Sequence, residues 1–583
     1  MKNIDTYLLY LFILVLPCLP AGMAIFPYSQ IILAVSVILL ILVIKIIKII
    51  FTKKISFSIG AFDISVVLIL ASYFISTVFS TPNKMDAFIT PGTTTLILIG
   101  SIVYFLVSQF NLEQKKYTTY FLFASVILYS IITLLSTTKI FPWITTTNDL
   151  IPILFIGSLI PIMISVVLKQ RKFIYKFLIV ISILIAFFTF TISIISNTTK
   201  YLSFKTSANI ALSTLRKNPI LGIGPGNYKE AFNKYRPHDY NLTELWSNKF
   251  DQGSSFLLTN MTEVGILGSV LFLALFAMFV NFSINIMAMR KKVGWGLLGS
   301  FDLLSGLISF IVLMLFPSYS VLIITFFIIL GLISESKKHE YILPSKILAI
   351  VIATPMLILL LLASYKIYIL SFAEYNYLQG MKSLSENKAK GSYDQFKKAI
   401  SLNSKVDRYH KALSSVNFGV AIALSRKENL ADTEKEQITL IVQESINEAK
   451  AAVALNNHLS ENWQFLGKTY HLLVPFAKGA DQFAIDSYNE SINLDPINPN
   501  LRISLGEIYM VQKDYQNAIE VFKLAVLAKD DHPNAHFNLA IAYKENGQIE
   551  AAIQELGTTI SLLDKDSEDY IKAKSELDKL TTP

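Results

Sequence analysis

What most constrains this chain is the recurrence, through residues 1–370, of long apolar runs nearly bare of charge. A run of about 17–25 apolar residues can cross a bilayer as a helix, in which the backbone polar groups satisfy one another without water. Eleven such runs are read at 7–26, 29–50, 62–79, 94–110, 117–139, 150–168, 174–196, 256–288, 294–316, 318–334 and 345–370. A cleavable signal peptide, with a small-residue site at 21–24, is the other reading of the first run. Past 370 the pattern changes to charged and apolar residues in alternation. The expected fold class is all-α: a polytopic membrane helix bundle of about eleven spans, then an α-solenoid.

Charged residues are only 16% of the 583, against about 25% in an ordinary soluble domain. The net charge of +9 does not point to nucleic acid, because much of the excess lies in short loops between apolar runs. Lys45, Lys48, Lys53 and Lys54 follow the second run, and Lys115 and Lys116 the fourth. Lys169, Arg171 and Lys172 follow the sixth, Arg290, Lys291 and Lys292 the eighth, and Lys337 and Lys338 the tenth. The alternate loops hold only Lys84 and Lys139. By the positive-inside rule the N-terminus is cytoplasmic, while the loop 197–255 and everything past 370 lie outside. The expected organisation is spans one to seven in 1–196, a large outer loop at 197–255, spans eight to eleven in 256–370, and an outer domain at 371–583. Cys18 is the single cysteine, so no intrachain disulfide can form.

A loop of that length is functional or disordered. Tyr201, Phe204, Tyr228, Phe232, Tyr235, Tyr240, Trp246 and Phe250 are too many aromatics for a disordered linker. Residues 204–216 read as an amphipathic helix with apolar Ile210, Leu212 and Leu215, ended by Pro219. In the turn that follows, Gly222, Gly224 and Gly226 permit positive φ and close approach, and Pro225 stiffens it. Residues 228–235 read as a second short helix. The glycines match neither a P-loop nor a dinucleotide fingerprint, so the turn is read as a shaped lid.

The stretch Leu-Arg-Lys-Asn-Pro-Ile-Leu-Gly-Ile-Gly-Pro-Gly-Asn-Tyr at 215–228, with Thr-Glu-Val-Gly-Ile-Leu-Gly at 262–268, resembles the O-antigen ligase/polymerase superfamily of lipid-linked glycan transferases. The resemblance is specific over about 205–270 and architectural in the rest of the membrane half. It implies metal-independent, cofactor-free transfer of a glycan, with inversion, from a polyprenyl-pyrophosphate carrier to an acceptor hydroxyl. Where the family carries His-Asn ahead of its Glu-x-Gly, this chain has Ser254 and Ser255. A serine has no pKa near neutrality and cannot serve as a general base.

Such a reaction needs a cation for the departing pyrophosphate, and arginine binds phosphate with a fork that stays charged. Arg216, at the family's arginine position, and Arg236 are the two arginines of the loop; Lys217, Lys234 and Lys249 are further candidates, and the backbone of Gly224 and Gly226 can approach the substrate. Interfacial contact with lipid headgroups is the structural alternative for the arginines. His238, beside Asp239, is the candidate base. Glu263 either supports a helix N-terminus or faces the acceptor, with Asp251 and Ser254 nearby in sequence. Asp302, inside the ninth run, is an intramembrane carboxylate. The competing class is an inactive membrane scaffold or transporter whose outer domain docks envelope proteins.

That outer domain carries a period. Trp463, Leu466, Gly467 and Tyr470, then Ala484, Tyr488 and Pro496, follow the tetratricopeptide pattern, with a longer turn near 474–482. Tyr509 to Tyr543 and Ala518 to Ala552 are both 34 residues apart, the length of that repeat. Degenerate helices around Tyr393–Ala399 and Ala449–Ala452 and a cap at 559–580 complete about four units. Solenoids of this kind offer surfaces to protein partners. The partners expected are therefore a polyprenyl-pyrophosphate glycan, the lipid bilayer and a protein on the repeats. A reporter fused after Pro583 is expected on the side of the membrane opposite the N-terminus, scored by activity of an enzyme that works only outside the cytosol.

Overall fold

A computed structural model describes residues 4–18, 29–89, 92–137, 151–169, 173–196, 201–293, 297–317, 319–334, 336–427 and 429–581. The small-residue site at 21–24, the loop 140–149, Lys139, Arg171 and Lys172 lie outside these residues. The chain divides into two compact units, Met1–Tyr228 with Phe250–Leu378, and Lys229–Lys249 with Gln379–Pro583.

The first unit opens with α1 (Ile4–Val15), α2 (Ser29–Thr52), strand β1 (Lys54–Gly60), α3 (Asp63–Phe79) and the short α4 (Lys84–Phe88). Then come α5 (Thr93–Ser108), α6 (Leu112–Thr137), α7 (Ile151–Lys169), α8 (Phe173–Ser196) and α9 (Phe204–Lys217). Helix α10 (Tyr228–Tyr235) leaves the unit, which resumes with α11 (Phe256–Glu263), α12 (Gly265–Val293), α13 (Leu297–Leu315), α14 (Ser320–Ile333), strand β2 (Ser336–Ile342) and α15 (Lys346–Ser385).

By length and composition six described helices can cross a membrane: Ile31–Thr52, Lys84–Ser108, Leu112–Leu135, Ile151–Leu168, Gly265–Ala288 and Lys346–Ser385. Five further apolar helices are shorter. The expected eleven spans therefore reduce to six by this measure. The 14 residues of α14 rise about 21 Å, short of a hydrocarbon core of about 30 Å.

Helix α14, buried from Val321 to Ile333, packs on α5. Small residues allow the approach: a Cβ at Gly100 would run into the Phe327 ring, and one at Gly331 would meet Val107 and the Tyr104 carbonyl. Close backbone approach of this kind is how helices associate in apolar surroundings. Phe272, Phe276, Phe279 and Phe326 surround Phe310 with ring centroids 4.5–5.7 Å away.

The all-α expectation missed one sheet. Strands β1 and β2 pair antiparallel, Lys54 opposite Ile342 through Gly60 opposite Ser336, and Phe57 stacks on His339 and Tyr341 at 5.7 Å. Its inner end is anchored by Asp63, which accepts from Gly60 N (2.8 Å) and from the Tyr104 hydroxyl (2.7 Å). Lys115 donates to the Ser334 carbonyl at 2.6 Å. A second link joins distant chain at the other ends of the helices, where Phe256 N–H donates to Phe316 O at 2.9 Å.

The second unit stacks antiparallel helix pairs. Helix α16 (Ala389–Leu402) precedes the pairs α17 (Asp407–Ser425) with α18 (Asp432–Leu455) and α19 (Ser460–His471) with α20 (Ala480–Leu494). The pairs α21 (Pro499–Val511) with α22 (Tyr515–Ala528) and α23 (Pro533–Glu545) with α24 (Ile549–Leu562) follow, and α25 (Glu568–Thr581) closes the stack. The cap is thus α25; the expected 559–580 straddled the end of α24. At the small positions within pairs, a Cβ on Gly506 would strike the buried Phe522 ring, and one on Gly467 would sit 3.2 Å from Tyr488. Reciprocal serines also lock two pairs, with Ser414 and Ser445 each donating to the other's carbonyl (2.8 and 2.9 Å), as do Ser460 and Ser491 (2.9 Å).

Two buried histidines repeat one arrangement. His536 donates to Glu555 (2.6 Å) and to the Asp530 carbonyl (2.8 Å); His410 does the same with Glu448 (2.5 Å) and Ser404 O (3.0 Å). The Glu555 carboxylate raises the His536 pKa against the opposing effect of burial. At His410 burial pulls the value down, and Glu448 with the Ser404 carbonyl more than offsets it. A value raised by folding stabilises below the unfolded pKa of about 6.5 and loses that contribution as pH rises through the folded one. The stability contributed by His410 and His536 is therefore expected to be lost as pH rises through neutrality, opposed by His471 and His532, whose values burial lowers. His536→Gln with His410→Gln should flatten that dependence in thermal melts.

Candidate functional site

The glycine-rich turn sits where an apolar run is broken. Residues 256–288, read as one span, form two helices, α11 ending at Glu263 and α12 starting at Gly265, whose φ is +72°. The break leaves N–H groups at the start of α12 without intrahelical acceptors. The turn supplies them: Ile266 N donates to Pro219 O (2.9 Å) and Leu267 N to Ile220 O (3.2 Å). In the other direction Ile223 N donates to Thr262 O (3.1 Å) and Gly224 N to Glu263 O (2.9 Å). From α3, the Ser76 hydroxyl reaches Leu221 O (2.7 Å) and Glu263 O (3.1 Å).

Nothing larger than glycine fits this joint. Gly224 (φ +93°) lies on the backbone of Thr81 and Gly226 (φ +85°) on the Asp86 carbonyl, so that a side chain at either would overlap main chain. Asn227 closes the turn, donating to the carbonyls of Gly224 (3.2 Å) and Pro225 (3.3 Å). The loop between α3 and α5 and the turn after α9 are thus one packed structure.

The Glu263 side chain is buried beneath the turn, 1% exposed, and lies outside the span Gly265–Ala288. Burial pushes its carboxyl up to about 8, while the N–H groups of Gly226 and Tyr228 and the Thr93 hydroxyl pull against that rise and Asp251 adds to it. Glu263 Oε1, Thr93 Oγ1, Tyr228 OH, Asn260 Oδ1 and Ser254 Oγ are buried without a hydrogen-bond partner of good geometry. Asp251 is exposed. Ser254 N donates to Ser207 Oγ at 2.9 Å, and Ser255 caps α11 by accepting from Leu258 N at 3.2 Å, the ordinary work of a serine at that position.

Helix α9 is capped by Ser203, which accepts from Thr206 N. It packs on α11 and buries Ile210 and Ala211, whereas Leu212, expected on the same face, is 52% exposed. Arg216 and Lys217 stand exposed in its last turn, immediately ahead of the glycines. The structure thus gathers Arg216, Lys217, Gly224, Gly226, Asp251, Ser254 and Glu263 in the first unit.

Arg236, His238 and Lys249 lie in the other unit, in contact with the repeats. All three belong to the stretch Lys229–Lys249 of the second unit. Arg236, 6% exposed, pairs with the fully buried Asp495 at 2.6 Å and donates to Asn233 O at 3.0 Å. Lys249 bridges Asp495 (3.1 Å) and Glu461 (3.0 Å). His238 Nε2 donates to Leu527 O at 2.9 Å. Their charges and donors are taken up by the repeats. Asp495 and Asn241 were not singled out in the sequence; a polar residue in each turn between repeats was the only local sign.

Residues 511–577 match the family model for the tetratricopeptide repeat. The tetratricopeptide stack is similar to the solved MamA protein, at 18% identity over 35% of this chain and 96% of that one, with a TM-score of 0.27. It is similar also to a tetratricopeptide protein of Thermus thermophilus, at 16% identity over 35% and 98%, TM-score 0.27. A third is the first tetratricopeptide domain of Spaghetti (RPAP3) bound to an HSP90 peptide, at 23% over 21% and 90%, TM-score 0.19. No curated protein matches the chain.

Gly224→Ala, which adds a Cβ against Thr81 backbone at a φ that L residues avoid, should destabilise the first unit by about 1–3 kcal/mol. A lowered unfolding temperature in detergent checks this, with the exposed Leu212→Ala as the near-neutral control.

Proposed function

We propose that the chain is an integral membrane glycan ligase or polymerase that moves a glycan from a polyprenyl-pyrophosphate carrier to an acceptor hydroxyl at the outer bilayer face. The observation that carries this reading is the exposed Arg216–Lys217 pair at the end of α9, held rigid by a glycine turn locked onto a broken span. A fixed cationic ledge stabilises charge without reorganising during the reaction. The ligase resemblance of 215–228 and 262–268 supports it.

In this mechanism Arg216 and Lys217 meet the pyrophosphate. The acceptor oxygen attacks the anomeric carbon as the bond to the pyrophosphate oxygen breaks, with inversion. The acceptor proton passes to the exposed Asp251, and the pyrophosphate leaves with both its bonding electrons and its charge met by the ledge. Glu263 is a positioning residue: its carbonyl and carboxyl face the N–H groups of the turn and hold the ledge at the membrane entrance. No group of the second unit is needed for the chemical step.

Three couplings support the sidedness. The strands β1 and β2 join two stretches expected inside; the turn on Thr81 and Asp86 joins two expected outside; and Phe256 with Phe316 joins two more expected outside. The stretch Lys229–Lys249 shares a unit with the repeats, as a common outer compartment requires.

Tetratricopeptide repeats suggest protein–protein interaction, and a second reading, a scaffold without catalysis, is favoured by Ser254 at the family's histidine and by the capture of His238. The two separate in one assay. With a polyprenyl-pyrophosphate glycan donor, Arg216→Ala and Asp251→Asn are each expected to lower transfer about 100-fold or more, with expression and unfolding temperature unchanged. Transfer equal to wild type in both variants removes this mechanism, and no transfer by the wild-type chain with any donor supports the scaffold.

A further inference from the structure

The stretch Lys229–Lys249 meets the turns between three successive helix pairs along one edge of the repeats, with Lys249 returning to Glu461 beside the first of them. At the turn before α19, Asn456 donates to Glu230 (2.8 Å) and Asn233 to Glu461 (3.0 Å). At the turn before α21, Asp495 takes Arg236 and Lys249, and Asn241 Nδ2 donates to Ile497 O at 2.6 Å. At the turn before α23, Asn241 Nδ2 also donates to Ala528 O (2.7 Å), His238 to Leu527 O, and Lys529 donates to Asn241 O (2.9 Å). Trp246 lies 5.0 Å from the Lys529 ammonium and 5.2 Å from His532. Asn241 and Asp495 are both fully buried.

We propose that this edge is a peptide-docking surface whose ligand is the chain's own loop, and that the repeats hold the two ends of that loop in register. Buried carbonyls and carboxylates at three consecutive turns select a segment with an arginine, an asparagine and a lysine in this spacing. A surface salt bridge would give no such selection, whereas removing the partner of a fully buried group, such as the Asp495 carboxylate or the Asn241 amide nitrogen, is costly. A separate hollow of about 380 Å³ is lined by Lys450, Trp463, Tyr470 and Phe483 of the repeats, and no residue of 229–249 lines it. The inference is independent of whether glycan transfer occurs.

Hydrogen exchange on the full chain in detergent tests it. In the wild type, amides of 229–249 are expected to be protected alongside those of the repeat helices. Asn241→Ala with Arg236→Gln, both on the loop, should speed exchange in 229–249 at least tenfold while α21–α24 keep their protection. Asp495→Asn, from the repeat side, should do the same. Wild-type exchange in 229–249 at the rate of an unstructured peptide, or unchanged exchange in both variants, would overturn the proposal.

Discussion

Everything in the first unit turns on the backbone hydrogen bonds at the break between Glu263 and Gly265. Continuous helix would have met its own N–H and C=O groups. Once broken beside an apolar span, those groups need partners of fixed geometry, and the Pro219–Gly226 turn provides them in both directions. The exchange explains why glycine recurs there: carbonyl and N–H can meet only if no side chain intervenes. The break also leaves the Glu263 carboxyl buried beneath the turn.

The second unit solves a different problem by the same means, buried polar groups. Within helix pairs, serines trade hydrogen bonds across the contact, and histidines reach back to the carbonyl six residues earlier while gripping a glutamate on the next helix. These are satisfied groups, so their burial fixes the register of the two helices of a pair at little cost. The edge of the same stack accepts a stretch of chain from far upstream, and there charge is buried only in company: Arg236 with Asp495, Lys249 with Asp495 and Glu461.

Much of this was legible in the residues. Apolar runs marked the helices, and the spacing of Tyr509 and Tyr543 marked the repeat, because both are local periodicities. The strand Lys54–Gly60 was missed: Ile55, Phe57 and Ile59 alternate with polar residues, a strand period, but the lysines ahead of it suggest only a basic loop. Its partner Ser336–Ile342 shows no such alternation and depends on tertiary pairing. The break at Gly265 is not legible in the apolar run 256–288, which reads as one span; it depends on the tertiary hydrogen bonds of the Pro219–Gly226 turn. What could not be read was the capture of Arg236 and His238, since a basic residue in an aromatic loop looks the same whether it awaits phosphate or already faces an aspartate some 260 residues away.

The small sheet has a bearing on biosynthesis. Its two strands lie roughly 280 residues apart in the chain, and ribosomes add about 5–20 residues each second. The first strand therefore spends on the order of tens of seconds with its edge open while later helices are still being made. Closure of that ribbon is a late event, and whatever shields the open edge must stay until α14 and the strand behind it have been made.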